Sequence, residues 1–369
     1  MNSVQAKLAE IGEIFRLNGK IYAFDVVSNG NINTTYSVKF RRFDGSIRSY
    51  IIQRINGYVF KNPVEIMSNI EGVTKHLRNK AIDGRVALHF HHTEDGNNYY
   101  LDEEGNYWRV MTEVDSDTFN ISNDLNILRN AGKAFGEFQM QLSDYDAESL
   151  YVTIPDFHNT RKRLDKFFED VEADPCKRVC EVMPEIDFIR SMRKFSCKLT
   201  DLQEAGKVPL RVTHNDTKIN NVLFDKKTGE PLAVIDLDTV MPGLAMHDFG
   251  DAIRFAANTA AEDEPDLTKV SLDLEKFRAF SEGFIGQTAG ALTEMEIGTM
   301  ALGALSITVE LASRFLDDYI TGDKYFKTNY EGHNLVRARC QLKLAEDMWD
   351  KYEEMEQIVN TIAKEAVSS

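Results

Sequence analysis

The chain has 369 residues, with 59 acidic against 43 basic side chains and a formal net charge of −16. That length exceeds one small core and suits two domains or lobes, and 43% apolar with 28% charged residues is ordinary for a soluble globular enzyme. The acidic balance, with no Lys/Arg-rich run, excludes a nucleic-acid surface and favours a nucleotide that travels with a metal over a bare polyanion.

The first 20 residues contain Glu10 and Glu13 and no apolar core, so no signal peptide is expected. Periodicity predicts an amphipathic helix over 4–17, with Val4, Leu8, Ile11 and Phe15 on one face. Strands follow between 21 and about 53, with turn signals at Asn29-Gly30 and Asp44-Gly45. A helix over 63–79 carries Ile66, Ile70, Val73 and Leu77 as its stripe, and further strands are expected at 86–91, 99–101 and 107–111. After Val114 the pattern turns helical at 125–142, 161–173, 185–204, 274–284, 294–319 and 336–366. The expectation is an α+β, protein-kinase-like bilobal fold: a β-rich small N-terminal lobe (1–113) that binds nucleotide and a mainly helical C-terminal lobe (114–369). The longest uncharged run, 297–309, is too short for a bilayer. Cys176, Cys180, Cys197 and Cys340 form no C-x-x-C pair and read as reduced thiols of a cytoplasmic protein, expected to be monomeric with no membrane partner.

Residues 211–242 carry the chemistry. His214, Asp216, Lys218 and Asn221 stand at the spacing of a kinase catalytic loop, and Asp236 follows 15 residues after Asn221 on an apolar run. Phosphoryl transfer to a hydroxyl needs a carboxylate to orient the nucleophile and accept its proton, oxygen ligands for magnesium, and a cation near the moving group. Asp216 fits the first role, Asn221 and Asp236 the second, and Lys218 the third. His214 reads as a brace for the loop. Asp238 is either a second metal ligand or a strand-end carboxylate pointing to the same side as Asp236. His247-Asp248-Phe249-Gly250 spells the protein-kinase metal motif, but it lies 27 residues after Asn221, too far for the short hairpin required. Asp248 is expected instead to accept hydrogen bonds from the catalytic-loop backbone.

The turn at 28–35, containing Asn31, Asn33 and Thr34, is either a cover for nucleotide phosphates or a plain type I′ hairpin. A kinase usually places a Lys on its third strand. Here alternation puts Gln53 in that place, with Arg54 facing the other way and Glu71 as a candidate helix partner. Either the phosphates are handled with fewer cations, or Arg54 or Lys218 compensates. Arg314 and Tyr325, with the aromatics around them, suit either sugar recognition or a capped helix end.

The strings I-N-T-T-Y, R-V-T-H-N-D-T-K-I-N-N, V-I-D-L-D-T-V-M-P-G, D-F-G-D-A-I-R-F, A-E-D-E, R-F-L-D-D-Y-I-T-G-D-K-Y-F and H-N-L-V-R together resemble the N-acetylhexosamine 1-kinase family, within the aminoglycoside phosphotransferase and choline kinase superfamily. The resemblance spans residues 32–337. It implies transfer of the ATP γ-phosphoryl group to the anomeric hydroxyl of N-acetylglucosamine or N-acetylgalactosamine, giving the 1-phosphate, with ATP and Mg2+ as cofactors. It implies Asp216 as base, Lys218 at the transferred phosphate, Asn221 and Asp236 as metal ligands, and 111–114, with Met111 and Glu113, beside adenine. Arg314, then Glu310 and Tyr325, are the implied sugar contacts. Choline, ethanolamine, homoserine, another sugar or an aminoglycoside is the alternative acceptor, and a nucleotide-binding protein without turnover is the third reading.

Overall fold

The computed structural model describes residues 3–27, 32–80 and 82–368. The chain forms two compact units: Met1–Ser116 with Ser149–Ile154 and Leu237–Val240, and the remainder, Asp117–Glu148, Pro155–Asp236 and Met241–Ser369.

The first unit runs α1 (Ser3–Ile14), β1 (Lys20–Val27), β2 (Thr34–Arg41), β3 (Ile47–Ile55), α2 (Pro63–Asn79), β4 (Tyr100–Leu101) and β5 (Tyr107–Thr112). The strands make one antiparallel sheet in the order β1-β2-β3-β5-β4. Side chains alternate across a strand, so register sorts them onto two faces. Val38, Phe40, Tyr50, Ile52, Trp108 and Val110 share one face and bury Leu8, Ile11 and Phe15, which recur at helical spacing on and just beyond α1. Thr35, Gln53, Arg109 and Met111 share the other face. The segment 86–91 is not a strand. It lies against the end of β5 through the single Phe90–Met111 bridge, in which the His91 N–H donates to the Val110 carbonyl at 2.8 Å and the Thr112 N–H to the His89 carbonyl at 3.1 Å.

The second unit contains α3 (Leu125–Gln141), α4 (Thr160–Ala173), α5 (Met183–Ser196), α6 (Lys198–Glu204), β6 (Arg211–Thr213), β7 (Val222–Phe224), β8 (Pro231–Val234), β9 (Met241–Gly243), α7 (Ala245–Ala256), α8 (Leu274–Thr288), α9 (Glu294–Gly298), α10 (Met300–Thr321), α11 (His333–Asp350) and α12 (Tyr352–Ser368). Asp124, Asn159 and Asp273 cap α3, α4 and α8 through side-chain oxygens that accept backbone N–H groups. The helix expected over 294–319 breaks at Thr299, whose hydroxyl donates to the Met295 carbonyl at 2.7 Å and competes with the helical ladder. The apolar period continues through the break, so the sequence pattern conceals it. Helices α3 and α8 pack close because Gly132 and Gly283 leave room: a Cβ on Gly283 would stand 2.0 Å from the Arg129 carbonyl oxygen.

Asp317 on α10 hydrogen bonds with Asp170 on α4, and burial with this second carboxylate pushes Asp317 up to about 7 from 3.8. An acid raised in the folded state binds its proton more tightly there than when unfolded, so its contribution to stability falls as pH rises through that window. Asp317→Asn should therefore raise the melting temperature at pH 8 and leave it near wild type at pH 4. Equal shifts at both pH values in a thermal scan would remove this carboxyl pair from the pH dependence.

Candidate active site

Two groups of polar side chains stand out, one in each unit. In the second, β6 delivers the chain into 214–221, and β7 and β8 follow as a short hairpin closed by the Asp225 N–H donating to Glu230 at 2.8 Å. The Ile235 N–H donates to the Asn221 carbonyl at 2.8 Å, which extends that ladder and puts Asp236 beside Asn221. Asn215 and Asp236 both have left-handed backbone, with φ of 64° and 60°. Asn and Asp tolerate this region better than other L residues, and non-glycine residues held there recur at functional sites.

The Asp216 carboxylate is half-buried. Lys218 Nζ lies 2.8 Å from one oxygen, and the Asn221 amide donates to the other at 3.2 Å and to the Asp216 carbonyl at 2.8 Å. Burial opposes the Asp216 charge, but Lys218 and the Asn221 amide outweigh it, so the carboxyl is held below its usual range. Burial likewise works against the Lys218 ammonium, while Asp216 and Asp251 overcome it and raise its pKa. The ammonium also sits 5.2 Å from the centre of the Phe255 ring.

The loop is held from beneath. His214 Nδ1 accepts the Asp216 N–H at 3.3 Å, so Nε2 carries the proton that goes to the Ile235 carbonyl at 2.8 Å. One imidazole thus ties the loop to the strand end bearing Asp236, the bracing role expected of it. Asp248 accepts the His214 and Asn215 N–H groups at 2.8 and 2.7 Å and the Gln139 amide at 2.8 Å. Burial pushes its carboxyl up against these hydrogen bonds. Asp251 accepts the Thr217 N–H at 3.1 Å. The Asp-Phe-Gly string is therefore a scaffold on α7, as its distance from Asn221 suggested. Its glycine lets α7 approach α10, since a Cβ on Gly250 would stand 2.5 Å from the Gly303 carbonyl oxygen.

Glu310, read from the sequence as a sugar contact, is wholly buried. It accepts the Thr160 hydroxyl at 2.7 Å and lies 3.0 Å from His158 Nδ1; burial opposes its charge, but these partners hold it down at about 2. His158 Nε2 reaches the Asn215 carbonyl at 3.3 Å. Glu310 is thus tied through His158 to the residue before Asp216. One turn further along α10, the Arg314 guanidinium lies 5.4 Å from the Phe157 ring, 5.9 Å from Tyr325 and 5.7 Å from Phe326. Asp318 shapes this corner by accepting the N–H groups of Lys324, Tyr325 and Phe326 at 2.8 to 2.9 Å. Tyr325 is exposed and Arg314 half-buried.

In the first unit, Gln53 and Thr35 face each other across β2 and β3, the Gln53 amide donating at 3.0 Å. Thr34 lies on the opposite face, where its hydroxyl accepts from Arg54 at 3.3 Å. Asn33 donates to Asp238 at 2.6 Å and accepts the Asn56 N–H at 3.0 Å, while Asn31 falls outside the described residues. Met111 shares the Gln53 face, and Glu113 accepts the Ser37 hydroxyl at 2.9 Å. Glu71 meets Asn98 and His92, not Gln53. The segment after Asp236 is a tight turn over Leu237–Thr239, so Asp238 does not follow the extended alternation expected of it. Asp238 is 3% exposed, and Arg109 takes its carboxylate in a two-pronged pair. The cation beside Gln53 is therefore Arg109, from the neighbouring strand, and not Arg54. Its alternation with Met111 in Tyr107–Thr112 was the available signal.

Solved structures share this fold at low identity. Spectinomycin phosphotransferase in complex with ADP and spectinomycin is 13% identical, with a TM-score of 0.59 over 95% of this chain and 98% of that one. A microcompartment-associated aminopropanol kinase is 16% identical, with a TM-score of 0.59 over 96% and 99%. Plasmodium vivax ethanolamine kinase is 14% identical, with a TM-score of 0.56 over 92% and 87%. No helix among the described residues is long and apolar enough to cross a membrane. The sequence profile of APH, the phosphotransferase enzyme family, matches residues 24–280, a stretch that runs through β2 and β3, the Asp216 loop and the Asp236 strand end; the chain belongs to that family.

Proposed function

We propose that this phosphotransferase moves the γ-phosphoryl group of ATP to the anomeric hydroxyl of an N-acetylhexosamine. The observation that carries the reading is the Asp216 carboxyl group held between Lys218 and Asn221, with Asp236 on the adjoining strand end. Asp216 accepts the hydroxyl proton and aims the oxygen at phosphorus. Lys218 faces the charge that builds on the transferred group, and its link to Asp216 keeps both in one geometry. The donor set fits magnesium, which takes hard oxygen ligands from one or two carboxylates and completes its shell with water and substrate phosphates. The Asn221 amide nitrogen is spent on Asp216, which leaves its oxygen as the ligand atom, and Asp236 is exposed beside it. When bound there, the ion would neutralise phosphate charge.

The acceptor is argued from Arg314. A guanidinium set among Phe157, Tyr325 and Phe326 offers fixed N–H donors beside apolar ring faces, which suits the hydroxyls and carbonyl of an acetamido sugar. The same positive charge repels a cationic amine, so choline, ethanolamine and aminoglycosides are disfavoured. A panel of N-acetylhexosamines, hexoses, amino alcohols and aminoglycosides, read by ADP release, should show turnover with the acetamido sugars first. Arg314→Ala should raise KM for the sugar by about ten- to hundredfold at unchanged KM for ATP, the size expected for a charged hydrogen bond lost to a neutral partner. Turnover confined to amines would end the sugar assignment.

A further inference from the structure

Arg109 is buried to 2% exposure in a unit whose third strand carries Gln53 where a kinase ordinarily has its lysine. A guanidinium taken out of water must be fully partnered. Here every nitrogen has a partner: two fork onto Asp238, Nε donates to Gln53 Oε1 at 2.9 Å, Met67 sulfur lies 3.8 Å from Nη1, and the Phe90 ring centre is 5.9 Å away. The forked contact sets distance and angle together, which a lysine ammonium cannot do. Each partner then passes the constraint on. Gln53 accepts from Arg109, so its amide nitrogen must point at Thr35. Asp238 accepts the Asn33 amide at 2.6 Å, and the Asn33 oxygen in turn accepts the Asn56 N–H. Asn33 and Gln53 are two of the first-unit residues read above, on sequence grounds, as candidates for nucleotide phosphates, and both take their orientation from Arg109 and its partner Asp238.

We propose that Arg109 is a positioning residue for nucleotide phosphates, fixing Asn33 and Gln53 through Asp238 and its own Nε. It does not touch the nucleotide; it takes over the organising role of the absent strand lysine from a neighbouring strand. The inference rests on the kinase reading of the preceding subsection.

Two variants test it: Arg109→Lys, which keeps the charge and loses the fork, and the charge-free pair Arg109→Met with Asp238→Leu, which leaves no buried charge unpaired if the single change unfolds. Thermal scans select variants that stay folded. The expected result is a rise in KM for Mg-ATP of about ten- to hundredfold, the usual cost of misplacing a positioning group by an ångström. The inhibition constant of adenosine, which has no phosphate, and KM for the acceptor should stay at wild-type values. A role confined to packing would move all three together or none, and either outcome overturns the proposal. So does wild-type nucleotide affinity in a folded charge-free pair. Calorimetry of wild-type protein with Mg-AMP-PNP separates the two layers of argument: no binding there overturns the kinase reading and this inference with it, whereas wild-type binding with unaffected variants overturns the inference alone.

Discussion

Asp216→Asn is expected to lower kcat by about 10²- to 10⁴-fold, the span that a positioned base contributes. The amide is isosteric, and Lys218 and Asn221 can still be accommodated around it, so KM for both substrates should change little. The loss should fall on the chemical step, because an amide cannot take the hydroxyl proton. The wild-type pH profile offers a second check. Lys218 and Asn221 hold the Asp216 carboxyl below its ordinary value of 3.8, so the acid limb of kcat/KM attributable to this group should lie below that value. At neutral pH the base is already fully ionised and the rate should not rise with pH on its account. A folded Asp216→Asn enzyme turning over at near wild-type rate, in single-turnover experiments with saturating ATP, would remove Asp216 from the mechanism.

The contrast between Asp236 and Asp248 should be equally large and opposite in kind. Asp236 is exposed at the strand end, whereas Asp248 is buried and accepts three N–H groups, two of them from the backbone of His214 and Asn215. Asp248→Ala strands those donors in the interior at about 1–3 kcal/mol each. The expected outcome is a large fall in melting temperature, with activity lost through disorder of 214–217. Asp236→Asn should leave the melting temperature unchanged and raise the magnesium concentration for half-maximal turnover by about tenfold or more, since even an outer partner of a metal ligand costs that much. Circular-dichroism melts and magnesium titrations on both variants decide the matter. Metal dependence following Asp248 while Asp236→Asn behaves as wild type would reverse the two roles.

Much of the site was legible along the chain because its parts are close in sequence. The spacing from His214 to Asn221 and on to Asp236 is local geometry, one loop and one hairpin, so residue order alone foretells which groups meet. The same locality exposed the Asp-Phe-Gly string as a scaffold. The helices at 63–79 and 125–141 were legible because an amphipathic stripe must face a core. The breaks at Cys197 and Thr299 were not, since the stripe passes through both without a change of period.

Other features depend on contacts between distant residues. That Glu310 is an interior anchor for His158 follows only once α4 and α10 lie together, for a glutamate on a helix reads the same whether buried or exposed. That Arg109 takes the place next to Gln53 needs the β3–β5 register, and a strand sequence does not name its neighbour. That Asp238 is spent on Arg109 needs a pairing across 129 residues. The sequence by itself determined which candidate groups meet: a carboxylate, a cation and the side-chain oxygens of Asn221 and Asp236 within one short stretch. Only the tertiary structure decided how the charges are partnered, because the pairing of buried ions depends on which surfaces fold against one another, and that is not written in local spacing.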